Sequence, residues 1–398
     1  MGDQGDQPTR QDAGERAEGA GEVAVDTHRL ERTDAPELSV AELQAILGRG
    51  DPVVVFDVRP AIERAEWAIP GSVYRDAYAA LRRGEPDALA GVELPAGIPI
   101  VAVCGAGRAS EVAAAQLRDR GHAAFTLAGG MKAWSLAWNT AEIASPAATL
   151  LQVRRTGKGC LSYILGSRTE AAAIDPSLDA ALYLRLARAR GWTIRHVLDT
   201  HIHADHLSRA RAVAEAAGAD LWLPEQRRVR FPHRTLRDGE SLRVGDATLR
   251  AIHTPGHTDE STCYLADERW LLTGDTLFPA SVGRPDLEAT AEEARTRASI
   301  LHDTLRRLLA LDPELSVLAC HASAPVPFDR VVLDGTIGGI RAAIPLVEDA
   351  GEFVEDILRR LPAAPPNCHT IVGYNEAGLL PSGDVTDLEA GPNNCAIT

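Results

Sequence analysis

Three histidines and an aspartate fall within one short run, Thr200-His201-Ile202-His203-Ala204-Asp205-His206. Downstream lie His257, in His253-Thr254-Pro255-Gly256-His257-Thr258, then Asp275, in Thr273-Gly274-Asp275, and His321. Imidazole nitrogens and carboxylate oxygens are the usual ligands for zinc, iron and manganese. Each group follows a strand-like run, so the ends of a rigid sheet could bring them to one point. A lone histidine is ordinarily a surface or core residue, and His28, His122, His196, His233, His302 and His369 have no such company. His253 lies near the cluster but outside the candidate set. A second reactive group is Cys104, in Cys104-Gly105-Ala106-Gly107-Arg108-Ala109-Ser110. It sits between a strand-like run and a helical pattern, where backbone N–H groups and the helix dipole favour a thiolate or a terminal persulfide. The glycines beside it let the backbone wrap an anion.

The elements that must position these groups come in two blocks. Val53–Val58, Ile100–Val103 and Ala124–Leu127 are short runs suited to strands buried on both faces. With the helical pattern after Cys104 they describe a small α/β domain over 37–140. Ser39 with Glu42 predicts a capping box for a helix through Ala41–Leu47. Asn139–Ala148 reads as a linker. From 147 to 398, many short strand runs with helical patterns at Ala180–Arg190 and Ala291–Leu311 suit a layered αββα sandwich. Residues 1–36 are acidic and Gly-rich with few large apolar groups, and read as a disordered tail. They lack the basic-then-apolar order of a signal peptide, and no run is long enough to span a membrane, so the expectation is cytoplasmic. The net charge of −15 excludes nucleic acid and anionic membrane as main partners. The six cysteines form no CxxC pair and are no disulfide framework. Cys160 and Cys263 read as strand core, Cys320 as a neighbour that could tune His321, and Cys395 as packing or a free thiol.

The second block resembles the metallo-β-lactamase superfamily, and within it the persulfide dioxygenase and glyoxalase II branch. The resemblance rests on Cys160-Leu-Ser-Tyr-Ile-Leu-Gly, Ala173-Ile-Asp-Pro, the His201–His206 run, Thr254-Pro-Gly-His-Thr and Thr273-Gly-Asp-Thr-Leu-Phe. Gly283-Arg284-Pro285-Asp286-Leu287 and the tail Gly391-Pro-Asn-Asn-Cys395 tilt it toward the dioxygenases. That branch implies one Fe(2+) per chain on His201, His257 and Asp275, a two-His-one-carboxylate face with positions open for O2 and a persulfide. His203, Asp205, His206 and His321 would then orient ligands or water. The glyoxalase II branch implies two Zn(2+), or mixed zinc and iron. One metal would sit on His201, His203, His257 and Asp275, and the other on Asp205, His206, His321 and a bridging Asp275, with hydroxide attacking a hydroxyacylglutathione thioester. Both branches usually place an aspartate after the last histidine. Here Ala322 and Ser323 follow His321, which weakens the hold on a second metal. Arg284 is the expected contact for a carboxylate of a thiol such as glutathione, with an Arg284–Asp286 turn pair as the other reading.

The first block resembles a rhodanese, a sulfurtransferase domain, through Phe56-Asp57-Val58-Arg59, Ala68-Ile-Pro-Gly-Ser72, the Cys104 loop and Gly129-Gly-Met-Lys-Ala-Trp134. The arginine usual five residues after the cysteine is Ala109 here, with Arg108 one place earlier. The expected whole is a persulfide dioxygenase that oxidises a low-molecular-weight thiol persulfide to sulfite. The rhodanese would shuttle sulfur through Cys104, with Arg108 assisting, and feed persulfide to the iron or make thiosulfate. Tethering raises the effective concentration of a shared intermediate. A homodimer is compatible with this reading.

Overall fold

The computed structural model describes residues 37–344, 349–391 and 393–397. The segment 1–36, read as a tail, lies outside them. Ser39 caps the helix Val40–Arg49: its hydroxyl accepts the Glu42 N–H at 3.2 Å, and the Glu42 carboxylate accepts the Ser39 N–H at 2.9 Å. The expected capping box is therefore present. The apolar runs of the first block form one parallel sheet in the order Glu37–Leu38, Ala124–Leu127, Ile100–Val103, Val54–Asp57, Val73–Tyr74. Both faces are covered. Phe56, Ala102 and Leu117 pack on one side, and Val55, Val101, Phe125 and Trp134 on the other.

The second block is an αββα sandwich. A seven-stranded sheet runs Arg234–Leu236, Asp220–Pro224, Thr193–Leu198, Glu170–Ile174, Cys160–Ser167, Thr149–Arg155, Asn139–Ala144. A six-stranded sheet runs Ser241–Val244, Ala247–His253, Thr262–Ala266, Trp270–Gly274, Ser316–Ala319, Gly335–Thr336. Leu165, Ile174, Leu198, Leu249, Tyr264 and Leu318 fill the space between the sheets. Helices Ala180–Arg188 and Ala210–Ala217 cover one outer face, and Ala291–Leu309 with Ala350–Arg359 the other. Among the described residues, no helix is long and apolar enough to cross a membrane.

Asn139–Ala148 is not a linker. Asn139–Ala144 pairs antiparallel with Thr149–Arg155 as the edge strand of the seven-stranded sheet. Its small, loosely patterned residues satisfy an edge strand with only Ala141 fully buried, and the pairing partner decides the matter. The two blocks therefore meet without a spacer. The Trp138 N–H donates to Gln44 Oε1 at 2.9 Å, and the Trp67 indole donates to the Thr156 carbonyl at 2.9 Å. At the tightest point a Cβ on Gly157 would stand 1.8 Å from the Trp134 carbonyl oxygen. Gly157→Ala should therefore force the seam apart and lower stability by about 1–3 kcal/mol. Denaturant unfolding checks this, and an unchanged midpoint would show a seam that can relax.

Candidate metal centre and cysteine loop

The candidate ligands leave the ends of several strands at one edge of the sandwich. His201–His206 follows Thr193–Leu198, His257 follows Ala247–His253, Asp275 follows Trp270–Gly274, and His321 follows Ser316–Ala319. The two sheets are joined there by backbone: Cys160 bridges His321, and the Leu161 N–H donates to the Cys320 carbonyl at 2.7 Å. His201, His257 and Asp275 converge as the sequence predicts. Asp275 Oδ2 lies 3.6 Å from His201 Nε2 and 3.6 Å from His257 Nε2, and all three residues are buried.

The tautomers follow from the partners. The Thr200 hydroxyl donates to the Asp175 carboxylate at 3.0 Å, so its oxygen accepts from His201 Nδ1–H at 2.9 Å. His257 Nδ1–H donates to the Arg284 carbonyl at 2.7 Å. Both rings therefore turn Nε2 toward Asp275. His201 Nε2 and Asp275 Oδ2 are buried with no hydrogen-bond partner, an unstable state for polar atoms unless a cation joins them. The donor set therefore fits a metal.

A second cluster adjoins the first. His321 Nδ1 lies 2.7 Å from Asp275 Oδ1, and its Nε2 lies 2.9 Å from Asp205 Oδ2. His206 Nδ1 lies 3.0 Å from Asp205 Oδ1. The Cys320 thiol donates to Asp275 Oδ1 at 2.8 Å. Cys160 Sγ lies 3.7 Å from Asp205 Oδ2. His203 adjoins the triad: it has a ligand atom within 4.8 Å of those of His201 and Cys320, its Nε2 faces Asp175 at 3.3 Å and Asp199 at 3.9 Å, and its ring packs between those of His201 and His206. His253 is exposed and outside the centre.

Burial and charge set the protonation states. Burial pushes Asp275 and Asp205 up, but the charges and hydrogen bonds of His321 with His201 at the first, and of His321 with His206 at the second, together outweigh it and hold both well below the usual carboxylate range. Burial, helped by the charge of His201, holds His257 down to about 4, so that ring is neutral. Burial opposes charge on His206 too, yet Asp205 and Cys160 together lift it to about 10. The two neighbouring thiols differ. Burial and Asp275 keep Cys320 a thiol, whereas at Cys160 burial is overcome by the charge and hydrogen bond of His206 together with a hydrogen bond from His321, which lower it to about 7.

Arg284 does not offer its guanidinium to a ligand. All five N–H donors are used: two on the Asp286 carboxylate at 2.8 Å each, and three on the carbonyls of Pro362, Ala363 and Asn394. The turn-pair reading holds and the anion-contact reading does not, because the C-terminal segment folds over the fork. The Arg284 backbone positions His257 instead. A Cβ on the preceding Gly283 would stand 2.0 Å from the Asp275 carbonyl oxygen and 3.2 Å from His257 Cβ.

Sequence reasoning missed the struts that hold the ligand loop. The Asn375 amide donates to the carbonyls of His203 at 2.8 Å and His206 at 3.0 Å, and accepts the Ser208 N–H at 2.8 Å. Glu389 Oε1 accepts the Leu207 N–H at 2.9 Å, and Oε2 pairs with Arg155 at 2.7 Å, both side chains wholly buried. Arg155 Nε in turn donates to the Ser135 carbonyl of the first domain at 2.8 Å. No local pattern marks Asn375 or Glu389. Cys160 carried one signal, as the first residue of a recognised motif.

In the first domain, Cys104 Sγ accepts the Gly107 N–H at 3.2 Å, and the Ser110 hydroxyl lies 3.4 Å away. The helix Arg108–Asp119 starts directly behind it. Met131 and Lys132 N–H groups clamp the carbonyls of Cys104 and Gly105 at 2.8 and 3.0 Å. Cys104 is buried, and Arg108 is exposed on the first turn of the helix.

With this geometry in view, comparisons define the class. The metallo-β-lactamase superfamily pattern matches residues 155–321, and the rhodanese-like domain pattern matches 39–137. The chain joins a rhodanese-like domain to a metallo-β-lactamase-superfamily domain and belongs to that superfamily. Curated relatives include the hydroxyacylglutathione hydrolases of Rhizobium etli, 36% identical over 153 residues, and Rhodospirillum rubrum, 37% identical over 153 residues. Each alignment covers 38% of this chain and 56% of the relative, so the chain spans about half the length of the curated relatives it matches. An uncharacterised protein of Mycobacterium leprae is 32% identical over 48% of this chain and 94% of its own length. Among solved structures, a metallo-β-lactamase from Staphylococcus aureus is 26% identical with TM-score 0.53, covering 59% of this chain and 74% of its own. ETHE1 from Myxococcus xanthus is 25% identical with TM-score 0.50, covering 60% of this chain and 99% of its own.

Asn375→Ala removes three hydrogen bonds from the ligand loop, and Gly283→Ala pushes Asp275 and His257 apart. Each should weaken metal retention by about 10–100-fold with the fold intact. Competition with a chromophoric chelator, beside far-UV circular dichroism, measures this. Retention equal to wild type in both would mean the loop holds its shape unaided.

Proposed function

We propose that the metal domain oxidises a low-molecular-weight thiol persulfide, such as glutathione persulfide, at one iron held by His201, His257 and Asp275. The observation that carries this reading is the state of Asp275. Its Oδ1 is occupied by His321 Nδ1 and the Cys320 thiol, so Oδ2 alone is left, facing two Nε2 atoms. That arrangement supports a three-ligand face over a bridge between two metals. Iron on such a face supplies open positions for O2 and the persulfide sulfur. The balance is RSSH + O2 + H2O → RSH + H2SO3. Thr200 and the Arg284 carbonyl fix the two rings, and His321 steers the carboxylate. Burial of the triad excludes bulk water.

The rhodanese-like partner supports sulfur chemistry. Cys104 would accept the outer sulfur of a persulfide, releasing thiol, and pass it to sulfite to give thiosulfate. Arg284 is committed inside the protein, so the thiol carrier is recognised by other groups. The hydrolase relatives favour a second reading, cleavage of a hydroxyacylglutathione thioester.

Anaerobic purification, metal quantification and an oxygen electrode separate the two. We expect about one iron per chain at the triad, oxygen uptake on glutathione persulfide, and loss of uptake in Asp275→Ala. Thioester cleavage without oxygen uptake would overturn the reading. Cys104→Ser should leave oxygen uptake intact and abolish thiosulfate formation. Thiosulfate formation that survives the change would remove Cys104 from the scheme.

A further inference from the structure

We propose that a cavity on the outer face of the seven-stranded sheet binds a small amine with an apolar body, its ammonium head held by Asp199 and Glu260. The cavity has a volume of about 250 Å3 and is lined from the strand Asp220–Pro224, the helix Ala210–Ala217 and the helix Cys368–Ala377. Leu221, Leu223, Val229 and Phe231 supply apolar walls, and Leu379 and Leu380 complete them. The last two are 57% and 45% exposed. Single exposed leucines are ordinary, but a pair at the edge of an apolar chamber gives a hydrophobic body a way in. Gly378 closes the wall. Its φ is 64°, and a Cβ there would stand 2.2 Å from the Phe231 ring, so glycine lets the helix end pass against that loop.

Polar groups gather at the inner end. Asp199 Oδ2 accepts the Ser208 hydroxyl at 2.6 Å, while Oδ1 is buried with no hydrogen-bond partner. His203 Nε2 lies 3.9 Å from that oxygen, beyond hydrogen-bond reach. Glu260 is buried and its Oε1 accepts the Ile202 N–H at 3.0 Å; Oε2 takes no hydrogen bond among the described residues. An orphaned buried acceptor is satisfied by a donor from a ligand. Arg211 is the one arginine of the lining, which has no lysine, and it is already engaged. It pairs with Glu215 at 2.8 Å, donates to the Gly378 carbonyl at 3.1 Å and lies 5.4 Å over the Phe231 ring. Two carboxylates without a free cation match an ammonium group and repel a carboxylate, sulfonate or phosphate. A cavity of about 150 Å3 takes a benzene ring, so this one suits a body of about six to ten carbons. None of this depends on which reaction the metal domain catalyses.

The metal-loaded full chain, titrated at neutral pH with hexylamine, hexan-1-ol and hexanoate, tests the assignment by calorimetry. Hexylamine should bind saturably, hexan-1-ol about tenfold more weakly, and hexanoate not at all. Glu260→Gln keeps the Ile202 hydrogen bond and removes one charge. It should weaken hexylamine by about tenfold and leave hexan-1-ol unchanged. Ala212→Phe fills the cavity from the helix Ala210–Ala217 and should abolish binding with far-UV circular dichroism intact. If Ala212→Phe does not fold, the order of the three ligands and Glu260→Gln still decide. No saturable binding of hexylamine, hexanoate binding as tightly as hexylamine, or Glu260→Gln without effect overturns the site. Hexylamine binding that survives Ala212→Phe but is lost in Asp275→Ala is coordination to the metal, and overturns it too. These readouts are separate from oxygen uptake, so a failed persulfide assay leaves the amine site standing, and the reverse also holds.

Discussion

Four buried imidazoles each commit Nδ1 to a protein acceptor, and the centre depends on that constraint. Thr200 takes His201, the Arg284 carbonyl takes His257, Asp205 takes His206 and Asp275 takes His321. A neutral imidazole has one N–H and one lone pair, so holding the proton on Nδ1 leaves Nε2 to carry the lone pair. His257 is already neutral in this way, whereas His206 and His321 must lose the Nε2 proton before they can bind a cation. Asp275 divides its oxygens in the same way, Oδ1 toward His321 and Cys320 and Oδ2 toward His201 and His257. Such preorganisation is what a metal site needs from its surroundings.

The acceptors come from distant parts of the chain. The Arg284 carbonyl is placed by a guanidinium whose donors end on the segment 362–363, on Asp286 and on Asn394. The His201–Leu207 loop is held by Asn375 and Glu389. The C-terminal region therefore acts as a strap over the centre. Glu389 extends the strap to the first domain through Arg155 and the Ser135 carbonyl. A wholly buried ion pair adds little net stability, but removing one partner leaves an uncompensated charge and costs about 3–5 kcal/mol. The rhodanese-like domain thus abuts the same frame that carries the metal ligands. Its helix Gly130–Trp134 both clamps the Cys104 loop and meets Gly157 at the seam.

Much of this was legible in the linear chain. The capping box at Ser39, the buried parallel strands and the helix at Ala291–Leu309 each have a local cause, so a local pattern found them. The three triad residues were found because their density and their places at strand ends depart from what a core requires. Asn139–Ala148 was misread because an edge strand of small residues resembles a linker until its partner is seen. Arg284 was misread because a free guanidinium and a saturated one have the same sequence. Cys160 was read as strand core, and is buried, but its thiol faces the acidic and imidazole groups of another loop.

By itself, the order of residues determined which groups could bind a cation, which strands would end beside them, and that a thiol loop sits before a helix. Those properties depend on neighbours a few positions away. Only the tertiary structure decided which nitrogen each ring presents, which oxygen of Asp275 stays free, that Arg284 is spent inside, and that Cys160 joins the second cluster. Each is a matter of hydrogen-bond partners drawn from elements far apart in the chain, and a partner of that kind leaves no trace in local spacing.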